Sequence, residues 1–144
     1  MFNTSPTAVE NSRVLLSGMQ AMAKECLKEG VPVGLGTDSS CTYVTHYGFW
    51  REILYFVHYC GVTPAFAIHT ATEVNASIAG IGDLVGTIAA GKLADMIVVD
   101  RNPLEDLTAL GAPSAVIFEG KRIDDPKPAR IPQVDEVLDQ MVLD

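Results

Sequence analysis

Gly30-Val31-Pro32-Val33-Gly34-Leu35-Gly36-Thr37-Asp38-Ser39 is the stretch on which the fold turns. Val31 to Leu35 is a short apolar run containing two β-branched valines, and it breaks at Gly36 into Thr37 and Asp38, so it reads as a buried strand emptying into a loop. A carboxylate at the carboxyl end of a buried parallel strand stands where barrel enzymes keep their sites. Asp38 is therefore the first candidate for chemistry, as a ligand to a divalent metal or as a proton acceptor. The alternative is that Asp38 only caps the loop through an Asx-type hydrogen bond.

Outward from this stretch, the chain alternates helices with turns. Upstream, Ser5 before Pro6 and the Thr7-to-Glu10 capping pattern start a helix whose apolar residues Leu15, Met19, Met22 and Cys26 recur at helical spacing until Gly30 stops it. Downstream, a polar loop precedes a second helical pattern through Phe49, Ile53, Phe56, Val57 and Cys60, closed by Gly61. Thr63 and Pro64 restart a third helix carrying Ala67, Ile68, Ala71, Val74 and Ile78, with its stop at Gly80. From Gly82 the texture becomes β-rich: Met96 to Val99 as a buried run, then Ala115 to Phe118 and Lys121 to Ile123 around Glu119-Gly120. Pro126, Pro128 and Pro132 mark a linker before Val134, Val137, Leu138 and Met141 at helical spacing.

Composition narrows the function classes. The 144 residues carry 48% hydrophobic and 19% charged residues, ordinary for one globular domain with a core. A net charge of −8, with the lysines and arginines scattered, leaves no basic stripe for a phosphate backbone, so nucleic acid is not an expected partner. Three cysteines without a C-x-x-C pair fit neither a disulfide framework nor a thiolate zinc site, and a cytoplasmic location is expected. Met1 to Thr7 shows no leader pattern, and no uncharged apolar stretch reaches the ~20 residues of a membrane span, so no membrane partner is expected.

The remaining chemical candidates are few. His46 lies in the loop after Asp38 and is placed to face the same cavity, where it would bind substrate or ligate a metal; the plain alternative is a solvated loop histidine. His58 and His69 fall within helices and read as packing or surface residues. Cys41, between Asp38 and His46, is either a thiolate nucleophile paired with the histidine or a small loop residue. Two phosphate-loop patterns fail. Gly34 and Gly36 lack the third glycine of G-x-G-x-x-G, which is Ser39 here, and Gly86 to Lys92 has Leu93 where a magnesium-binding hydroxyl would stand.

The order of motifs then becomes informative. Gly30 to Ser39 resembles the last barrel strand of the amidohydrolase superfamily, whose terminal aspartate sits at the metal centre. Thr63-Pro64-Ala65-Phe66-Ala67-Ile68-His69-Thr70-Ala71-Thr72 is similar to that family's final helix, and Gly86 to Asp100 resembles the segment in which the chain leaves the barrel for a small β-sandwich. The resemblance covers about Gly30 to Ile123. His46-Tyr47-Gly48 with Arg51-Glu52 further resembles the imidazolonepropionase-like and dipeptidase-like branch, in which a histidine of this loop faces the substrate.

The resemblance implies an α/β fold, the C-terminal part of a (β/α)8 TIM-type barrel followed by part of a small β-sandwich. It implies barrel elements over residues 1–81, the β-sandwich segment over 82–125, and a Pro-rich linker and C-terminal helix over 126–144. It implies a hydrolase of carbon–nitrogen bonds in an amide, cyclic amide or dipeptide, with deaminases and chlorohydrolases of the same superfamily as near alternatives. In the complete enzyme Asp38 would be both metal ligand and catalytic group, His46 would bind the small-molecule substrate, and a divalent metal, zinc first, would be the cofactor. The family's H-x-H pair, bridging group and later metal histidines have no counterpart in these residues, and such a barrel needs ~250 residues to close. This chain by itself is thus expected to be inactive, with no metal necessarily bound to it. A second reading makes it a non-catalytic fragment or binding module that folds by association, because an unclosed parallel strand exposes hydrogen-bonding groups that demand partners; a homo-oligomer is the expectation.

Overall fold

A computed structural model describes residues 5–41 and 43–142. Residues 1–4, part of the stretch without a leader pattern, lie outside the described residues, as does the side chain of Met141 in the expected C-terminal helix. The chain forms two compact units, Met1–Val33 and Gly34–Asp144.

The first unit is dominated by α1, Pro6–Lys28. Ser5 caps it, its Oγ accepting from the Ala8 N–H at 3.2 Å, with Pro6 supplying a fixed φ in the first turn. At the other end the Gly30 N–H donates to Leu27 O and the Val31 N–H to Cys26 O, a Schellman motif around a left-handed Gly30. The amphipathic pattern reads as helix, as expected, yet no residue of α1 is buried, and Leu15, Met19 and Met22 are each more than 60% exposed.

The expected strand over Val31 to Leu35 does not form: residues 31–38 have no helical or strand assignment. The reason is physical. A parallel strand is made by its neighbours' backbone groups, and the one sheet among the described residues lies elsewhere, in residues 96–124.

In the second unit α2, Phe49–Cys60, packs on α3, Pro64–His69, and on a 3-10 helix, Leu107–Gly111. Thr63 caps α3 through its Oγ1, which accepts from the Phe66 N–H at 3.2 Å. The expected third helix is interrupted: α3 passes into a π-helical turn, Thr70–Val74, and then into α4, Asn75–Ile78. It ends where expected, with Gly80 at φ 72° and the Ile81 N–H donating to Ala76 O at 2.9 Å. Ile53 and Phe56 of α2, Ala67, Ala76, Leu107, Ala109 and Ala115 form the core. Gly111 lets the Trp50 ring lie against the backbone, since a Cβ there would come within 2.8 Å of it.

The three expected strands form one antiparallel sheet of order β1-β2-β3, with β1 Met96–Val98, β2 Ala115–Phe118 and β3 Lys121–Asp124. The β2–β3 turn is Glu119-Gly120, both at positive φ, the two-residue geometry that matches strand twist. Asp95 Oδ1 accepts from the Glu119 N–H at 2.7 Å and Ala94 O from the Gly120 N–H, which ties this turn to the entry of β1. The run beginning at Met96 is not buried as expected: Ile97 and Val98 are exposed, because no second sheet covers this one among the described residues. Before the sheet, the Lys92 ammonium donates to Gly82 O at 2.6 Å, Val85 O at 3.2 Å and Thr87 Oγ1 at 2.6 Å, closing the glycine-rich turns around itself.

The last helix, α5 Pro132–Val142, is held by charge. Arg51 of α2 is 3% exposed, stacks over the Trp50 ring at 4.4 Å, and pairs with Asp139 and, at 3.7 Å, with Asp135. No helix among the described residues is long and apolar enough to cross a membrane.

Two stability outcomes follow from α2. Asp139→Ala takes away the carboxylate that hydrogen-bonds the buried Arg51 guanidinium, leaving it only Asp135 at 3.7 Å, and should cost about 3–5 kcal/mol, read by urea unfolding. Glu52 is half-buried, and burial raises its carboxyl pKa above the ordinary 4.5. The folded chain then keeps this proton over a pH range in which the unfolded chain has lost it. Stability from this group therefore falls as pH rises from about 4.5 through the raised folded value. Glu52→Gln should accordingly shift the urea midpoint upward at pH 7 and not at pH 4.

Candidate active site

The loop after Gly36 is built from backbone conformations that most side chains avoid. Asp38, Ser40 and Tyr43 have φ of 50°, 87° and 64°, three non-glycine residues on the left-handed side within six positions. Asp accepts this region more readily than bulky residues do. The loop turns back on itself, with the Val44 N–H donating to Cys41 O at 3.0 Å and the Ser40 N–H to Val44 O at 3.3 Å. The result brings the Cys41 thiol to 3.7 Å from Asp38 Oδ2, which accepts its weak hydrogen bond. Asp38 itself is exposed.

Next to this pair lies a cavity of about 280 Å³, lined by Cys41, Tyr43, Thr45 and His46 from the loop and by Ile131 and Val134 from the C-terminal segment. The far wall is fastened through Tyr47: its hydroxyl accepts from the Ile131 N–H at 2.7 Å and donates to Asp135 Oδ2 at 3.3 Å. Asp135 also accepts from Arg130 Nε at 2.9 Å, which raises the Arg130 pKa further, and Arg130 lies over the Tyr47 ring at 5.4 Å. Thr45 is 8% exposed, and its Oγ1 has no hydrogen-bond partner among the described residues, leaving a desolvated hydroxyl in the cavity wall. His46 is exposed and meets the edge of Tyr47 at 5.1 Å between centroids.

The structure thus brings Asp38 and His46 to one loop, with Cys41 touching the carboxylate and both Cys41 and His46 lining the cavity. The Cys41–His46 nucleophile pair does not form, since the thiol's hydrogen bond goes to Asp38. His58 lies exposed against Tyr59, and His69 pairs with Glu73 at 3.3 Å one helical turn on, so both are surface residues, as expected. A divalent ion of the kind the resemblance implies takes three or four protein ligands in a structural site and three in an open one. Among the described residues no three His, Cys, Asp or Glu side chains converge. Asp38 has the right donor chemistry for one ligand position, and this chain's residues do not form the whole of such a site.

Thr45, Ile131 and Val134 were not recognisable as cavity residues from spacing, nor Tyr47 as the residue that ties the two segments, because the contact joins segments more than eighty residues apart. The only sequence signal was Tyr47 within the His46-Tyr47-Gly48 resemblance.

A structure from Bifidobacterium longum, provisionally identified as a prolidase, superposes with a TM-score of 0.90 at 40% identity over 94% of this chain and 33% of its own. An S-triazine hydrolase from Gordonia rubripertincta is 30% identical over 84% of this chain, and an ochratoxinase from Aspergillus niger is 37% identical over 67% of it. The chain spans 27% of the length of the first and 20% of the second. Residues 3–123 match the model of the Amidohydrolase family, and this chain belongs to that family.

Proposed function

We propose that this chain provides the closing strand and one active-site carboxylate of a metal-dependent amidohydrolase that cleaves carbon–nitrogen bonds, with a dipeptide as the substrate. The observation that carries this reading is Asp38 in its left-handed loop beside the His46-lined cavity. Residues 31–38 would be the last strand of a (β/α)8 barrel, whose neighbours would supply the ladder the segment lacks here. The three-stranded sheet would be part of the small β-sandwich, its exposed face meeting a second sheet. A dipeptide is favoured over a ring substrate by the 40% identity to the prolidase-type structure, against 30% for the triazine hydrolase.

Asp38 is the residue of this chain that would help to hold a divalent ion, zinc first, and such an ion supplies Lewis-acid activation of water and carbonyl. The work of the chain's own residues is proton handling and orientation. Asp38 takes a proton from the attacking water as its oxygen bonds to the carbonyl carbon, and gives it to the departing nitrogen as the C–N bond breaks. His46 hydrogen-bonds the substrate. In the complete enzyme carrying this chain, Asp38→Ala should lower kcat for dipeptide hydrolysis by about 10²–10⁴-fold, and His46→Ala should mainly raise KM. Wild-type turnover by the Asp38→Ala enzyme, measured in a steady-state assay, would overturn this reading.

Self-association is the second reading, favoured by the bare stripe of Leu15, Met19 and Met22 on α1. Sedimentation velocity of the chain should show a species heavier than 15.4 kDa that grows with concentration, and Met19→Lys with Met22→Lys should abolish it. A monomer at every concentration counts against association through this face.

A further inference from the structure

Leu35 lies three residues before Asp38 and has no strand neighbour, yet both of its backbone groups are satisfied. The Leu35 N–H donates to Asn75 Oδ1 at 2.8 Å, and Asn75 Nδ2 donates to Leu35 O at 2.9 Å. One side-chain amide thus presents to the segment the acceptor and donor that a peptide group of a neighbouring strand would present. Both partners are half-buried, where hydrogen bonds cost more to lose than at the surface.

Three features point to this contact as built. The π-helical turn Thr70–Val74 immediately precedes Asn75; such an extra residue in a helix re-aims the side chains that follow. Asn75 Nδ2 also lies 3.4 Å from Ala71 O, which braces the amide from its own helix. Gly34 is the third: a Cβ there would fall 2.9 Å from Asn75 Oδ1 and 3.1 Å from Ile78 Cδ1, so any side chain would push the amide away.

We infer that Asn75 is a positioning residue for Asp38: its two-point amide bridge to Leu35 sets the register and direction of the Gly34–Asp38 segment and thereby the place of the carboxylate. This rests on the proposed role of Asp38, but the bridge can be measured without it. Asn75 touches neither substrate nor reacting atoms and acts only through the backbone.

The test pairs a structural readout with a catalytic one. In this chain, amide hydrogen exchange at Leu35 should quicken at least tenfold in Asn75→Leu and in Gly34→Ala, which attack the bridge from opposite sides. Asn75→Asp keeps the Oδ1 acceptor and should retain most of the protection, and it serves if the leucine variant fails to fold. In the complete enzyme, Asn75→Leu should lower kcat at least tenfold with KM within about twofold, because carboxylate placement and not substrate binding is disturbed. Unchanged Leu35 exchange in both Asn75→Leu and Gly34→Ala would overturn the bridge whatever Asp38 does. Faster exchange with undiminished kcat, in an enzyme that Asp38→Ala inactivates, would overturn the positioning role. Full activity of Asp38→Ala would instead strike the role of Asp38, and the positioning claim with it, while leaving the bridge standing.

Discussion

A guanidinium taken almost wholly out of water organises the second unit. Arg51 carries a cationic guanidinium, and the cost of stripping its hydration must be met by opposite charge close by. Asp135 and Asp139 meet it from a helix more than eighty residues away, while the Trp50 ring supplies a polarisable face. Since Nε and Nη1 have no hydrogen-bond partner among the described residues, the two carboxylates bear nearly the whole of that compensation. The tail is thereby made part of the fold. Asp135 accepts from Arg130 and the Tyr47 hydroxyl while its charge faces Arg51 at 3.7 Å, and through Tyr47 the N-terminal end of α5 becomes the far wall of the cavity beside Asp38. The arrangement separates labour within the loop: Tyr47 faces the tail, and His46 beside it faces the cavity.

Much of the local structure was legible because it is encoded in neighbours. Ser5-Pro6, Thr63-Pro64 and the glycines at 30, 61 and 80 mark helix ends through capping and left-handed turns that involve at most six consecutive residues. The Glu119-Gly120 turn marks its hairpin for the same reason. Elements that depend on remote groups were not legible. Val31 to Leu35 has the composition of a strand, but a ladder is a property of two segments, and composition cannot supply the second. The run from Met96 reads as buried for the same reason: alternation and β-branching report a capacity for burial, not the presence of something to pack against. The π-helical turn at Thr70–Val74 and the 3-10 helix at Leu107–Gly111 leave no periodicity of their own over so few residues.

The candidate site was legible to the same degree. Asp38 and His46 were readable from a strand-end position and a loop, and the structure gathers them around a strained turn. The signal that would have exposed Asn75 was present, for it falls with Ala71, Val74 and Ile78 on the apolar side of the third helix. An amide on such a face needs a partner, and backbone groups that no neighbouring strand pairs with are the kind of partner it finds. Tyr47 and Arg51 were marked only by the family resemblance and not by their partners, which lie on a tail whose own pattern is only that of an amphipathic helix.

The lysine in the glycine-rich turns settles what the sequence Gly86 to Lys92 is. In a nucleotide loop the backbone turns its N–H groups toward the ligand and the lysine reaches out to the same anion. Here the polarity is inverted: two carbonyls and a hydroxyl face the ammonium, and its charge is already committed to them. An approaching polyphosphate would meet oxygen in place of N–H and no free cation. The same letters therefore describe a socket for positive charge that carries its own plug.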